Sequence, residues 1–260
     1  MKYKTIITDL DRTLLKTDKS LSEYTISTLK KCKENGMNLI IASARPLRNV
    51  TNYMKLLDLD MMVLSNGSRV VNNNIESYHL IKKDSANKIL EFLDKNKEHT
   101  LIIETLDMAY SNKQVSYLET ILTNNLSNVI NEKDILKIII EIKDEHTLEL
   151  LIPYLNDDVY YTVANGIGHV IQIMNKKATK WNGIKKLLKL NNLDPKECIY
   201  FGDDNDDVTP LQKCGLGVCP ENAIDECKKV SDYICKSNDE DGVAHFIEEY
   251  ILKEEIWNYF

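Results

Sequence analysis

Short apolar runs alternate with helical spacings over residues 1–80. Thr5-Ile-Ile-Thr8 is a brief apolar run that stops at acids. Ser22 is a predicted N-cap, Ile26 and Leu29 share one helix face, and Gly36 is the stop. Met37 to Ala42 reads as a buried strand, Val50, Tyr53, Met54 and Leu57 recur at helical spacing, and Met61 to Leu64 is the next strand. Uninterrupted apolar strands between helices predict a parallel sheet covered on both faces. Asn66-Gly67 marks a turn, and Val70-Val71, Asn72-Asn73-Asn74 and Ile75 onward predict a hairpin.

The rhythm then changes. Ala86, Ile89, Leu90 and Leu93 predict a helix, and Leu101 to Glu104 a strand. Tyr117, Leu118, Ile121 and Leu122 predict a second helix. Ile135 to Ile142 is a long β-branched strand, followed by a helix around Leu148 to Leu155. Val159 to Val163 and Val170 to Met174 predict paired strands around Gly166 and Gly168. From Trp181 the first rhythm returns. Helices are predicted at Ile184 to Leu188, Val208 to Cys214, Ala223 to Val230 and the C-terminal segment, with strands at Cys198 to Phe201, Leu216 to Val218 and Tyr233 to Cys235. The expected fold is α/β: a Rossmann-like core from residues 1–80 and 178–260, interrupted by a second α/β unit over 81–177.

Composition narrows the classes. The 260 residues carry a net charge of −7, with 28% charged and 43% hydrophobic residues, as in an ordinary globular protein. No apolar run approaches the roughly 18–20 residues of a membrane span. The start, with only three apolar residues before Asp9, does not read as a signal peptide, so a cytoplasmic protein is expected. The acidic balance, without a Lys/Arg block, argues against a nucleic-acid partner. Cys32, Cys198, Cys214, Cys219, Cys227 and Cys235 include no Cys-x2-Cys pair, and buried free thiols are the expectation over zinc or redox chemistry.

Four stretches lie just past predicted core strands, the edge where open α/β sheets place their sites. Asp9-Leu-Asp-Arg-Thr13 reads either as a nucleophile and an acid/base held by a metal, or as a solvated acidic turn. Ser43-Ala-Arg-Pro46 offers a hydroxyl and backbone N–H groups to a phosphate, or simply caps a helix. Lys180 precedes a helix, among other lysines. Gly202-Asp-Asp-Asn-Asp-Asp207 packs four acids into five residues, which repel unless a cation sits among them. Oxygen donors of this kind suit Mg²⁺ rather than zinc, and the spacing is not that of an EF-hand.

Taken in order, these motifs resemble the haloacid dehalogenase-like phosphatase superfamily, and the place of the insertion resembles its Cof-type group with an α/β (C2-type) cap. Ser65-Asn-Gly67, Cys214-Gly-Leu-Gly-Val218, Asn222-Ala223 and Asp241-Gly-Val-Ala244 fit the same pattern. The resemblance implies that Asp9 is a nucleophile forming an aspartyl-phosphate. It implies that Asp11 is the acid/base, its pKa raised by the negative charge of Asp9 and the phosphate. Mg²⁺ would be held by the Asp9 carboxylate, the Asp11 main-chain carbonyl and Asp203, with Asp207 in support. Ser43 and Lys180 would hold the phosphoryl oxygens, with Ala44, Arg45 and Asn66 as further substrate-binding candidates. The implied partner is a small phosphorylated metabolite such as a sugar phosphate. A phosphohexomutase or a phosphate-ligand sensor are the alternatives.

Three positions depart from the family pattern. Arg12 replaces a usual Gly, which is tolerable if the backbone there is not left-handed. Ala44 replaces Gly, and Asp206 replaces Asn, adding negative charge beside the metal site. The inserted unit carries no motif that matches residue by residue. Tyr110, Lys113 and His169 are its candidates for substrate contact, each equally an ordinary surface or packing residue. The oligomeric state is not legible in the sequence.

Overall fold

A computed structural model of the protein describes residues 2–142, 146–164 and 170–253. The chain runs β1 (Thr5–Thr8), α1 (Glu23–Glu34), β2 (Asn38–Ala42), α2 (Thr51–Leu57), β3 (Met61–Leu64), β4 (Arg69–Asn72) and β5 (Ile75–Tyr78). It continues through α3 (Lys83–Lys95), β6 (Leu101–Thr105), β7 (Ala109–Ser111), β8 (Ile121–Leu122), α4 (Leu126–Glu132), β9 (Ile135–Glu141), α5 (His146–Leu151), β10 (Val159–Ala164) and β11 (Val170–Asn175). It closes with α6 (Lys180–Leu190), β12 (Cys198–Phe201), α7 (Val208–Lys213), β13 (Leu216–Pro220), α8 (Asp225–Val230), β14 (Tyr233–Cys235) and α9 (Gly242–Ile247). Two compact units result. One comprises the chain up to Ser77 together with Thr179 onward, the other Tyr78–Ala178.

The first unit is built on an eight-stranded sheet of order β14-β13-β12-β1-β2-β3-β4-β5. The strands from β14 to β3 are mutually parallel, and β4 runs antiparallel to β3. Alternation within each strand explains why both faces are covered. Ile6, Leu39, Ile41, Ile199 and Phe201 point into one core, with residues of α1, α2 and α9. Ile7, Ile40, Ala42, Cys198 and Tyr200 point into the other, with residues of α6, α7 and α8. A strand buried on both faces must read as an unbroken apolar run, which is how these strands appear in the sequence.

The second unit has its own six-stranded sheet, ordered β10-β11-β9-β6-β7-β8. Every neighbouring pair is antiparallel except β7 with β8. One face carries a core of Ile103, Ile138, Ile140, Ile171 and Ile173 packed with helical Ile89, Phe92, Val129 and Ile130. The helix expected from Tyr117, Leu118, Ile121 and Leu122 is not formed. Ile121 and Leu122 pair with β7, while Tyr117 and Leu118 pack on Ile102, Ala109, Ile139 and Val170 from an irregular segment. The helical spacing there came from two unlike pairs: Tyr117 and Leu118 on the other sheet face, and the exposed edge-strand residues Ile121 and Leu122. Gly166 and Gly168 lie outside the described residues, as does His169. Among the described residues, no helix is long and apolar enough to cross a membrane. None of the six cysteines is in a disulfide, and five of them are buried.

Candidate active site

Register brings the acidic stretches together. Thr8 of β1 stands between Ile41 of β2 and Phe201 of β12. One residue later the Asp9 N–H donates to the Phe201 carbonyl at 2.8 Å. Asp9 and Gly202-Asp203 therefore leave neighbouring strands side by side. Gly202 has no room for a side chain, since a Cβ there would lie 2.5 Å from Asp207 Cγ. The Asp203 and Asp204 N–H groups both donate to Asp207 Oδ2, at 3.0 and 3.1 Å, folding the acidic segment into a tight turn.

Lys180 arrives from the start of α6. Thr179 caps this helix, its Oγ1 accepting from the Asn182 N–H at 3.1 Å. The cap is braced by Gly67, whose left-handed φ of 96° and missing side chain let the Thr179 carbonyl approach to 2.2 Å from where a Cβ would sit. Lys180 is buried and its Nζ reaches Asp9 Oδ1 at 2.8 Å, Asp207 Oδ1 at 2.7 Å and Asp206 Oδ1 at 3.1 Å.

Carboxylate oxygens of Asp9, Asp203 and Asp207 all lie within 4.8 Å of one another, and all three residues are buried. They are not equally committed. Asp207 accepts from Lys180, from the Tyr200 hydroxyl at 2.5 Å and from two backbone N–H groups, which fills the roughly four lone-pair sites of a carboxylate. Asp203 accepts from the Thr13 hydroxyl at 2.6 Å through Oδ1, and Arg12 Nε stands 3.9 Å from its Oδ2.

Burial pushes the Asp9 carboxyl well above its usual range. Lys180 opposes this, and the neighbouring Asp207, Asp203 and Asp206 add to it. Asp203 is raised to about 7 by burial and by Asp207, against the pull of Thr13, Lys180 and Arg12. Asp207 is raised chiefly by burial. Burial alone lowers Lys180, but Asp206, Asp207 and Asp9 more than offset it and hold the ammonium well above its ordinary value. Several acids thus share one ammonium. A buried all-oxygen set with excess negative charge is the donor chemistry that a hard divalent cation such as Mg²⁺ satisfies.

Asp11 lies outside this carboxylate cluster. Its oxygens accept from Arg45 Nε at 2.6 Å, Arg45 Nη2 at 2.7 Å and Lys19 Nζ at 2.7 Å. The expectation of a raised pKa is corrected here. Burial does push Asp11 up, but hydrogen bonds and charge from Arg45 and Lys19 outweigh it and leave the carboxyl below its usual range. Ser43 is buried at the end of β2, where its Oγ accepts from the Arg45 N–H at 3.1 Å with Ala44 between them. Asn66, left-handed with a φ of 55°, donates through Nδ2 to Asp206 Oδ2 at 2.9 Å. Arg12 is also left-handed, with a φ of 61°, so the favourable condition set for a side chain there does not hold. Contacts to Asn222 compensate: Asn222 Nδ2 donates to the Arg12 carbonyl at 2.7 Å, and Arg12 Nη2 donates to the Asn222 carbonyl at 3.1 Å.

Sequence reasoning did not single out Tyr200 or Lys19, and it took Thr13 only as the end of the Asp9–Thr13 stretch, without a role. A tyrosine inside a fully buried strand, such as Tyr200, needs a partner for its hydroxyl, and that was a usable signal. Lys19 gave none, and the partner of Thr13 was not legible, because both contacts are set by the turn after β1. Tyr110 and Lys113 belong to the second unit, where Lys113 Nζ donates to the Glu98 carbonyl at 2.7 Å.

The sequence model for haloacid dehalogenase-like hydrolases matches residues 6–247. A Bacillus subtilis relative, named as a 5-amino-6-(5-phospho-D-ribitylamino)uracil phosphatase, is 29% identical over 94% of this chain and 96% of its own. Among solved structures, a Thermotoga maritima protein superimposes with a TM-score of 0.85 at 24% identity, covering 95% of this chain and 97% of that one. A haloacid dehalogenase-like hydrolase from Bacteroides thetaiotaomicron gives 0.83 at 24% identity, covering 95% and 98%. With the parallel sheet and the matched span in agreement, the chain belongs to the haloacid dehalogenase-like hydrolases.

Proposed function

We propose that this chain is a Mg²⁺-dependent phosphatase that hydrolyses a small sugar or sugar-alcohol phosphate through an aspartyl-phosphate on Asp9. The observation that carries the reading is the buried grouping of Asp9, Asp203 and Asp207 around Lys180. Asp9 and Asp203 would hold the cation with the Asp11 main-chain carbonyl, and the fully bonded Asp207 would support them. When bound, the cation supplies positive charge that lets a carboxylate approach a phosphate dianion.

An Asp9 oxygen attacks phosphorus while the bond to the leaving oxygen breaks, and Asp11 gives that oxygen its proton. Water, deprotonated by Asp11, then cleaves the acyl-phosphate and restores Asp9. Lys180 and the Ser43 hydroxyl hold the phosphoryl oxygens, with Ala44, Arg45 and Asn66 beside them, so that catalysis rests on position and charge. Asp11 must first leave its bonds to Arg45 and Lys19, and an incoming anionic substrate supplies the competing charge. Residues 78–178 take the part of the inserted cap domain in this reading. The named substrate of the Bacillus subtilis relative, a phosphorylated ribityl compound, supports a polyol phosphate.

Asp9→Asn is expected to abolish Mg²⁺-dependent hydrolysis of p-nitrophenyl phosphate with no change in the circular dichroism spectrum. Undiminished turnover in that variant refutes the assignment. A panel of sugar phosphates, sugar-alcohol phosphates and nucleotides, read by phosphate release, identifies the substrate.

A further inference from the structure

Lys180 pairs with three carboxylates, by hydrogen bonds to Asp9 and Asp207, which belong to the cation cluster, and by an ion pair to a third. The third, Asp206, does not belong to that cluster. Its Oδ1 lies 3.1 Å from Lys180 Nζ, and its side chain is 26% exposed. Its other oxygen accepts from Asn66 Nδ2 at 2.9 Å. Asn66 stands in the left-handed turn between β3 and β4, next to the Gly67 that is wedged against Thr179. Asp206 is therefore held at both oxygens by groups that are themselves fixed.

The two contacts use a property only a carboxylate has here. Asn66 donates a hydrogen bond and Lys180 presents a positive charge, so residue 206 serves both by offering an acceptor oxygen to one and negative charge to the other. An asparagine offers one acceptor oxygen and no charge, and its NH₂ would meet a second donor unless Asn66 turned its amide over. The consequence for the site is electrostatic. A negative charge that takes no part in grouping the cation sits on the ammonium that, in the reading above, receives a phosphate dianion.

We propose that Asp206 is a positioning residue of this site: pinned by Asn66, it draws on Lys180 and limits how tightly phosphate is retained. The inference rests on the phosphatase reading and extends it to product release. Like charges at a shared counter-ion in a buried site repel strongly, so the effect exceeds anything expected of a surface acid.

Calorimetric titration of inorganic phosphate into the Mg²⁺-loaded protein tests this directly. Asp206→Asn is expected to bind phosphate about tenfold more tightly than the wild type, with a parallel fall in KM for p-nitrophenyl phosphate and no gain in kcat. Damage to the fold loosens binding, so a gain in affinity distinguishes this role from a merely structural one. Asp206→Ala removes the charge without placing an amide beside Lys180, and it decides the matter if Asp206→Asn does not fold. Phosphate affinity unchanged or weakened in the variants overturns the role of Asp206. Absence of p-nitrophenyl phosphate turnover in the wild type would instead sink the phosphatase reading itself.

Discussion

A carboxyl group buried among other carboxyls keeps its proton to a higher pH than one in water, and that difference is a stability term. Asp203 moves from an ordinary 3.8 to about 7, chiefly through burial and Asp207. Between these values the native state binds a proton that the unfolded chain has lost. The contribution is fully present below 3.8 and is lost as pH rises through about 7. Asp9 and Asp207 act in the same direction. The Tm of the metal-free protein is therefore expected to fall between about pH 5 and about pH 8, and Mg²⁺ to flatten that slope by taking the place of the protons. Thermal melts in chelator and in Mg²⁺ check this, and a Tm that rises over the range without metal contradicts it. At this scale the sequence displayed Asp9, Ser43, Lys180 and Asp203 as separate stretches past strand ends. It did not display the Arg45 and Lys19 clasp on Asp11, or the Asn66 contact to Asp206. Those pairings depend on where side chains from distant segments end up, and no local spacing encodes that.

At the scale of elements, the join between the Ser65–Gly67 turn and the start of α6 carries the most consequence. Gly67→Ala would put a methyl 2.2 Å from the Thr179 carbonyl oxygen, on a backbone with a φ of 96°. Thr179 must then shift, and Lys180 follows it in sequence. A loss of about 1–3 kcal/mol is expected from overpacking, together with lower turnover. Gly36→Ala is the control: its φ is 80°, but nothing lies within 4 Å of the added Cβ, so only the backbone term remains. Urea denaturation of the two variants checks the order, and equal midpoints refute the steric account. Elements were legible where burial is two-sided, as in β1, β2, β3 and β12. They were illegible in 109–122, where Ala109–Ser111 is too short and mixed to announce a strand. Helix α4 was overlooked although Asn125 caps it, accepting from the Asn128 N–H at 3.1 Å, and Leu126, Val129 and Ile130 share its buried face.

Each unit of the molecule closes around cores of its own. Among the described residues, the clusters centred on Ile6 and Ile7 draw on the first unit alone, and those centred on Ile103 and Ile102 on the second alone. The ends of the second unit are tied within it, since Asn175 Nδ2 donates to the Leu80 carbonyl at 2.7 Å and the Tyr160 hydroxyl donates to the Ala178 carbonyl at 2.5 Å. Residues 78–178 expressed alone are therefore expected to unfold in a single cooperative transition. A melt without a transition, or a spectrum of random coil, argues that this unit depends on the rest of the chain.

The shielded cysteines make this separation measurable. Burial lifts the Cys198 thiol to about 11 and the Cys235 thiol to about 12, so neither offers thiolate to a reagent at neutral pH. With five of the six cysteines buried, the native protein is expected to be a low background for maleimide dyes. One cysteine placed at exposed Ser27 on α1 and another at exposed Glu91 on α3 would carry a fluorophore pair, turning energy transfer into a ruler between the two halves during turnover.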